Sequence, residues 1–264
     1  MPREEARRLS FYETLAQYYD EIFPFKDPQS SFLRDVLRQH SVHSVLDVGC
    51  ATGNQTLAMA SWGLDCLGLD LSQAMIDIAR KKASELGQVP QTQTRAAEAQ
   101  SHSSRQPGQA RFMVGDMVRL DHVTGTYDAL VCLGNTLVHL TSESLLRELL
   151  LQFRRKALYL LIQIVNYDRI LDQQAWQLPE IRTPHLSFSR RYSLRSDGLL
   201  EFATEIKLAG DGRVLSDSTL LRPLRHDELR RLLTAAGWTD EASFGSYAGE
   251  TWSPASPATI ISAT

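Results

Sequence analysis

The run Val45-Leu-Asp-Val-Gly-Cys-Ala-Thr-Gly53 constrains the fold of this chain more than any other. Apolar and β-branched positions lead into a turn bracketed by Gly49 and Gly53, and Asn54-Gln-Thr56 opens an expected helix. A strand–turn–helix of this kind lets backbone approach a ligand where a side chain would collide. Further on, Cys66-Leu-Gly-Leu-Asp70 ends a second apolar segment on a carboxylate, which can accept hydrogen bonds from both hydroxyls of a ribose. The pair points to a nucleoside-containing ligand at the carboxyl edge of a parallel sheet.

Around this pair the hydrophobic period switches repeatedly between helix and strand. Helices are expected over 5–22, 30–39, 54–62, 72–86 and 142–153, and strands over 44–48, 65–69, 111–115, 127–133 and 157–165. Ser72 is a good N-cap and Gly87 a good stop for the fourth helix. The alternation predicts an α/β class: a doubly wound, mostly parallel seven-stranded sheet. The pattern then changes. Residues 188–194, 199–208 and 214–221 resemble antiparallel strands, with Asp211-Gly212 as a turn. A helix over 226–236 and strands over 244–248 and 258–262 complete the larger sheet with an antiparallel edge. The organisation expected is a helical lid (1–41), a ligand-binding core (42–179), a small antiparallel insertion or cap (180–222) and a C-terminal completion of the core (223–264). Residues 88–110, rich in Ser, Gln and Ala, offer little to bury and read as a long connection or as a lid that orders over ligand.

At 264 residues and 43% apolar composition the chain can bury one substantial core. A net charge of −3 gives no reason to expect nucleic acid as a partner, and Arg80-Lys-Lys82 and Arg154-Arg-Lys156 read as solvated helix faces. Cys50, Cys66 and Cys132 are too scattered for a zinc site or a disulfide framework and suit a reducing compartment. The start is charged and no apolar run approaches the ~20 residues that span a bilayer. A cytoplasmic protein without membrane or metal partners is expected, and its oligomeric state is open.

Asp47 within the first motif, Asp70, Gly115-Asp-Met117 and Cys132-Leu-Gly-Asn135 together resemble the class I methyltransferases that use S-adenosylmethionine, over about residues 42–166. Cys132-Leu-Gly-Asn-Thr-Leu-Val-His-Leu140 followed by Asn166-Tyr-Asp168 is similar to the glycine and sarcosine N-methyltransferases. That family carries an arginine for the substrate carboxylate immediately before the Asn-Tyr-Asp string, where this chain has Val165. A buried carboxylate needs a charged or multidentate donor, and valine supplies neither. The family's Pro-Gly-Gly turn before the fifth strand is replaced by Arg154-Arg-Lys-Ala157.

The resemblance implies a Rossmann-like methyltransferase fold, S-adenosylmethionine as cofactor, and a set of site residues. The cofactor set is Tyr18, Asp47, Gly49, Cys50, Ala51, Gly53, Asp70, Leu71, Met75, Asp116, Met117, Leu133 and Gly134. Asp47 positions the ligand's amino group or the backbone of the turn; Leu71 and Met75 contact adenine or pack the next helix; Asp116 meets the adenine amino group or caps a turn. Tyr19, Asn135 and His139 form the catalytic set, with His139 either a general base or a packed side chain. Tyr12, Asn166, Tyr167, Arg169, Trp176 and Tyr192 are expected around a small-molecule substrate, while Arg190 and Arg191 read as exposed ends of a ladder. Methyl transfer to an amine nitrogen is the expected reaction; an oxygen or sulfur acceptor, or a non-catalytic binding protein, are the alternatives. A nicotinamide oxidoreductase would carry Gly-x-Gly-x-x-Gly where this chain has Gly-Cys-Ala-Thr-Gly. A nucleic-acid methyltransferase would want a basic groove.

Overall fold

The computed structural model describes residues 2–88 and 108–264, with side chains from residue 11 onward. Two helices, α1 (Pro2–Ile22) and α2 (Gln29–Gln39), precede β1 (Ser44–Val48), α3 (Asn54–Ser61), β2 (Asp65–Asp70) and α4 (Gln73–Glu85). There follow β3 (Ala110–Val114), β4 (Tyr127–Cys132), α5 (Glu143–Lys156), β5 (Ala157–Val165) and α6 (Tyr167–Asp172). The rest is β6 (Ile181–Arg182), β7 (Leu186–Leu194), β8 (Leu200–Leu208), β9 (Val214–Leu221), α7 (His226–Ala235), β10 (Asp240–Phe244) and β11 (Ala258–Ala263).

Seven strands form one sheet in the order β3-β2-β1-β4-β5-β11-β10. All neighbours are parallel except β11, which runs antiparallel between β5 and β10. The expected fold class is the one observed. Strands β1, β4 and β5 are near-continuous apolar runs because both their faces are covered. On one side Leu46, Leu130, Leu160 and Ile162 pack under α5 and α7; on the other Val45, Val131 and Leu161 pack under α2 and α3. The reversal of strand order between β1 and β4 leaves a crevice at their carboxyl ends, where ligands of open α/β sheets bind.

The second sheet, β6-β7-β8-β9, is antiparallel. Helix α1 lies between the two sheets. Its Phe11, Leu15, Tyr18 and Ile22 recur at helical spacing and pack on Phe188, Ile206 and Leu215 of the small sheet. The face bearing Asp20 is turned to α4, where Asp20 meets Lys82 at 2.8 Å.

Local signals account for most boundaries. The Ser72 hydroxyl accepts from the Met75 N–H at the start of α4, and Gly87 closes that helix with φ +67°. One expectation needs correction. The tenth strand is Asp240–Phe244, not 244–248: Gly245 bonds Glu250, which turns the chain before β11. Asn166-Tyr-Asp168 begins a helix, because the Asn166 side chain caps the Asp168 and Arg169 N–H groups. The connection expected over 88–110 falls mostly outside the described residues. No helix among the described residues is long and apolar enough to cross a membrane.

Candidate active site

The crevice is built where the turn after β1 meets the turn after β4. Gly49 has φ +78°, and a Cβ there would sit 2.4 Å from the Thr136 Cγ2 and 2.6 Å from its Oγ1. Gly53, at φ +80°, leaves no more room: a Cβ would lie 2.6 Å from the Phe112 ring. Both glycines are demanded twice, by backbone sign and by close approach. The Gly49 and Cys50 N–H groups both bond the Leu69 carbonyl, at 2.7 and 3.0 Å, so they close the turn onto β2. Cys50 is buried, and its Sγ faces the bare Cα of Gly68. Its thiol therefore faces the sheet, contrary to a side-chain role in ligand binding.

Asp70 ends β2 at the same edge. One carboxylate oxygen accepts from the Ala51 N–H and the other from the Ser72 N–H, each at 2.9 Å. A carboxylate can accept about four such bonds, so each oxygen keeps capacity for a ligand hydroxyl. Burial raises its pKa against the opposing pull of those N–H groups. Ala51 takes a left-handed conformation, φ +48°, to bring its N–H there. Leu71 is 71% exposed beside Asp70, whereas Met75 is buried. Of the two candidates for a ring contact, Leu71 is thus the accessible one.

Asp47 lies beneath the turn, 2% exposed, and accepts from the Thr56 hydroxyl at 2.6 Å. Burial pushes its pKa up to about 7; the Thr56 bond opposes this and Asp70 adds to it. The Tyr19 phenol arrives from α1, and its pKa is raised by burial and then by the fields of Asp70, Asp20 and Asp47. Carboxylates gathered around one hydroxyl form a place suited to a cation.

The tyrosine pair is split. Tyr19 meets the turn, but Tyr18 packs towards the small sheet, its ring 6.0 Å from that of His185, and Tyr12 joins the same cluster. A cofactor role for Tyr18 is therefore a correction, forced by the 100° that separates neighbours on a helix. Next to Tyr19, Asp20 accepts from Thr52 and Asn54 and pairs with Lys82, itself bonded to Asn54 at 2.6 Å. Sequence reading missed this network. Lys82, read as a solvated face, is engaged, and no local pattern announces a contact across 62 residues.

After β4, Leu133 is buried and Gly134, φ +69°, gives its N–H to the Gln163 side chain at 2.8 Å. Asn135, φ +70°, accepts from the Val165 N–H at 3.0 Å and donates to the Tyr167 hydroxyl at 2.9 Å. One amide N–H of Asn135 bonds nothing among the described residues. His139 follows on a single 3-10 turn, Thr136–His139, and is exposed. Lost hydration lowers its pKa, and no described residue bonds it.

At the expected substrate side, the structure reassigns Asn166. It is fully buried, and its amide donates to the Ser253, Pro254 and Ser256 carbonyls at 2.9–3.2 Å. With its oxygen capping α6, every polar atom of the side chain is engaged, and it staples the chain before β11 to β5. Tyr167 is likewise buried and reaches the site through its hydroxyl alone; its ring lies 6.3 Å from that of Tyr192. Trp176 packs against the main core and its carbonyl accepts from the Tyr192 N–H. Arg169 is half-buried on α6 without a hydrogen bond from its guanidinium to any described residue. Asp116 is exposed and caps the Val118 N–H at 3.0 Å, while Met117 packs against the core.

A protein-family model described as a methyltransferase domain matches residues 45–102, the segment that opens with the glycine turn. A glycine/sarcosine N-methyltransferase of Aphanothece halophytica is 26% identical over 249 residues, covering 90% of this chain and 83% of that protein. Among solved structures, an S-adenosylmethionine-dependent methyltransferase from Clostridium acetobutylicum superposes with a TM-score of 0.77 at 14% identity, covering 96% of this chain and 98% of the other. A sugar N-methyltransferase from a Streptoalloteichus species superposes with a TM-score of 0.65 at 17% identity, covering 93% and 90%. Sheet order, motif and relatives agree in supporting a class I S-adenosylmethionine-dependent methyltransferase. Within that class its sequence relatives include enzymes named for glycine and sarcosine.

Proposed function

We propose that this enzyme transfers the methyl group of S-adenosylmethionine to an amine nitrogen of a small molecule. The residues around the glycine turn suit that cofactor. Asp70 takes the ribose hydroxyls, Leu71 and Met117 flank the base, and Asp116 offers an exposed carboxylate to its amino group. The turn from Gly49 to Gly53, with Leu133 and Gly134 opposite, encloses the amino-acid arm, and Asp47 beneath it answers the ammonium. Tyr19 excludes water and presents an electron-rich oxygen and ring edge to positive charge. We assign α1 the part of a lid, held closed by Asp20.

When bound, S-adenosylmethionine supplies an electrophilic methyl group on a sulfonium centre. The protein's own work is alignment in a dry pocket, the largest single saving in such a transfer. The Asn135 amide, fixed by Val165 and Tyr167, has one N–H left to orient the acceptor. The observation that carries the amine reading is His139. Lost hydration lowers its pKa and no described residue bonds it, so its ring is open to take the proton that an alkylated amine releases. A neutral amine needs no stronger base. The 26% identity to a protein named glycine/sarcosine N-methyltransferase supports the same reading.

The test is methyl transfer from labelled S-adenosylmethionine to matched primary and secondary amines, alcohols and thiols. Transfer to amines, slowed about 10- to 1000-fold in His139→Ala or Asn135→Ala, is the expected result. Transfer confined to alcohols or thiols contradicts the reading.

A further inference from the structure

The small sheet has an anomaly on its inward face. Side chains alternate along a strand, so pairing defines rows across that face. Phe188, Ile206 and Leu215 form one row, buried against α1. Tyr192 and Phe202 lie in another, and Leu200 pairs Leu221 beyond it; all four pack with the main core. Between these apolar rows stand Arg190, Thr204 and Asp217, paired in register and each only partly buried. A polar row across the middle of an apolar face contradicts binary patterning unless it binds something.

The arginine is not accounted for by its neighbours. One terminal nitrogen donates to the Pro179 carbonyl at 2.8 Å, and the guanidinium lies 5.5 Å from the Phe188 ring centroid. Its Nε is buried and bonded to nothing among the described residues, and no carboxylate pairs with it. Asp217 stands two strand spacings away, roughly 10 Å between backbones.

The row is also placed towards the chemistry. Tyr192 is the next inward residue along β7, its ring 6.3 Å from that of Tyr167, whose hydroxyl holds Asn135. Where Val165 leaves the end of β5 without a cation, the inward face of the cap carries one.

We propose that Arg190 is a specificity-determining residue that binds an anionic oxygen group, carboxylate or phosphate, on the methyl acceptor. Asp217, of opposite charge at the far end of the row, directs that group to the Arg190 end. The terminal N–H groups that the Pro179 carbonyl does not take supply charge-assisted hydrogen bonds, and a planar guanidinium presents a fork to carboxylate or phosphate oxygens. The inference rests on the amine reading above. It adds that the amine belongs to an amino acid or amino phosphate and not to a neutral amine.

The experiment compares ω-amino carboxylates and ω-amino phosphates of increasing chain length with the matching neutral carboxamides. In the native protein KM for the favoured anionic series is expected about 10- to 100-fold below that of the neutral series. In Arg190→Gln the two KM values converge to within about twofold, and Arg190→Lys recovers part of the preference. Which anionic series gains more separates carboxylate from phosphate. Equal KM for charged and neutral acceptors in the native enzyme, or an unchanged preference in Arg190→Gln, overturns the proposal. The same compounds are titrated into protein loaded with S-adenosylhomocysteine. Anion-selective binding lost in Arg190→Gln then supports the arginine even where no amine turns over, an outcome that would sink the amine reading alone. S-adenosylhomocysteine affinity of each variant reports whether its cofactor half is intact.

Discussion

The two sheets solve recognition in opposite ways. The parallel sheet is apolar on both faces and confines its polar groups to the carboxyl edge, where Asp70 and the Gly49–Gly53 turn stand on rigid strands. The antiparallel sheet leaves its edge unused and sets a polar row into the middle of one buried face. An edge site reads a ligand with backbone and short side chains, and tolerates little change in shape. A face site reads it with long side chains at exchangeable strand positions. In this enzyme class the first arrangement suits an invariable cofactor and the second a variable acceptor.

Perturbing the edge therefore has the larger effects. Gly49→Ala places a methyl 2.4 Å from Thr136 on a backbone of positive φ, and costs about 2–4 kcal/mol of stability together with cofactor binding; thermal unfolding and titration measure both. A fully stable, binding-competent variant would show that the two turns yield easily.

Asp47 sharpens the same point with pH. Its folded pKa stands at about 7 against an ordinary 3.8, so between those values the folded protein holds a proton that the unfolded chain has lost. The stability this contributes is full below pH ~4, declines up to about pH 7 and is gone above it. Asp47→Asn keeps an acceptor for Thr56 and removes the decline. At pH 8 the cofactor-free variant is expected to be more stable than the native protein by about 2–4 kcal/mol, while binding the cofactor more weakly. Denaturant titration across pH 4–8 checks this, and parallel curves for the two proteins would contradict a buried, proton-holding Asp47.

Asp20 tests the seam between the halves. Its pair with Lys82 is partly solvated, so Asp20→Ala costs only about 1 kcal/mol, but amide exchange along α1 should quicken well beyond that of β1. Unchanged exchange would mean that apolar packing on the cap alone holds the helix. The smallest effect is reserved for the outward face: Arg191 is exposed, and Arg191→Gln should alter acceptor KM by less than about twofold. An effect equal to that of Arg190→Gln would erase the distinction between the two faces.

Much of the edge site was legible because its signals are local. The glycine spacing, the acid ending β2 and the Ser72 cap lie within a few residues of the groups they serve. The face site was written less plainly. Phe188-Ser-Arg-Arg-Tyr192 carries both arginines, and only the parity of Phe188 and Tyr192 tells that Arg190 turns inward and Arg191 outward. That parity signal was present, yet two adjacent cations read as exposed. Asn166 was misjudged for a different reason: an Asn-Tyr-Asp string is the same whether its amide meets substrate or three distant carbonyls. Asp20 and Lys82 meet only after α1 folds back across α4, a contact that no window of sequence contains.

The most direct test of the cofactor edge is calorimetric titration of native protein and Asp70→Ala with S-adenosylmethionine, with a nicotinamide dinucleotide as comparison. The native protein is expected to bind S-adenosylmethionine and not the dinucleotide, and the variant to bind it about 100-fold more weakly, the worth of two hydrogen bonds to a charged group. Native-like affinity in a folded Asp70→Ala protein would contradict the account.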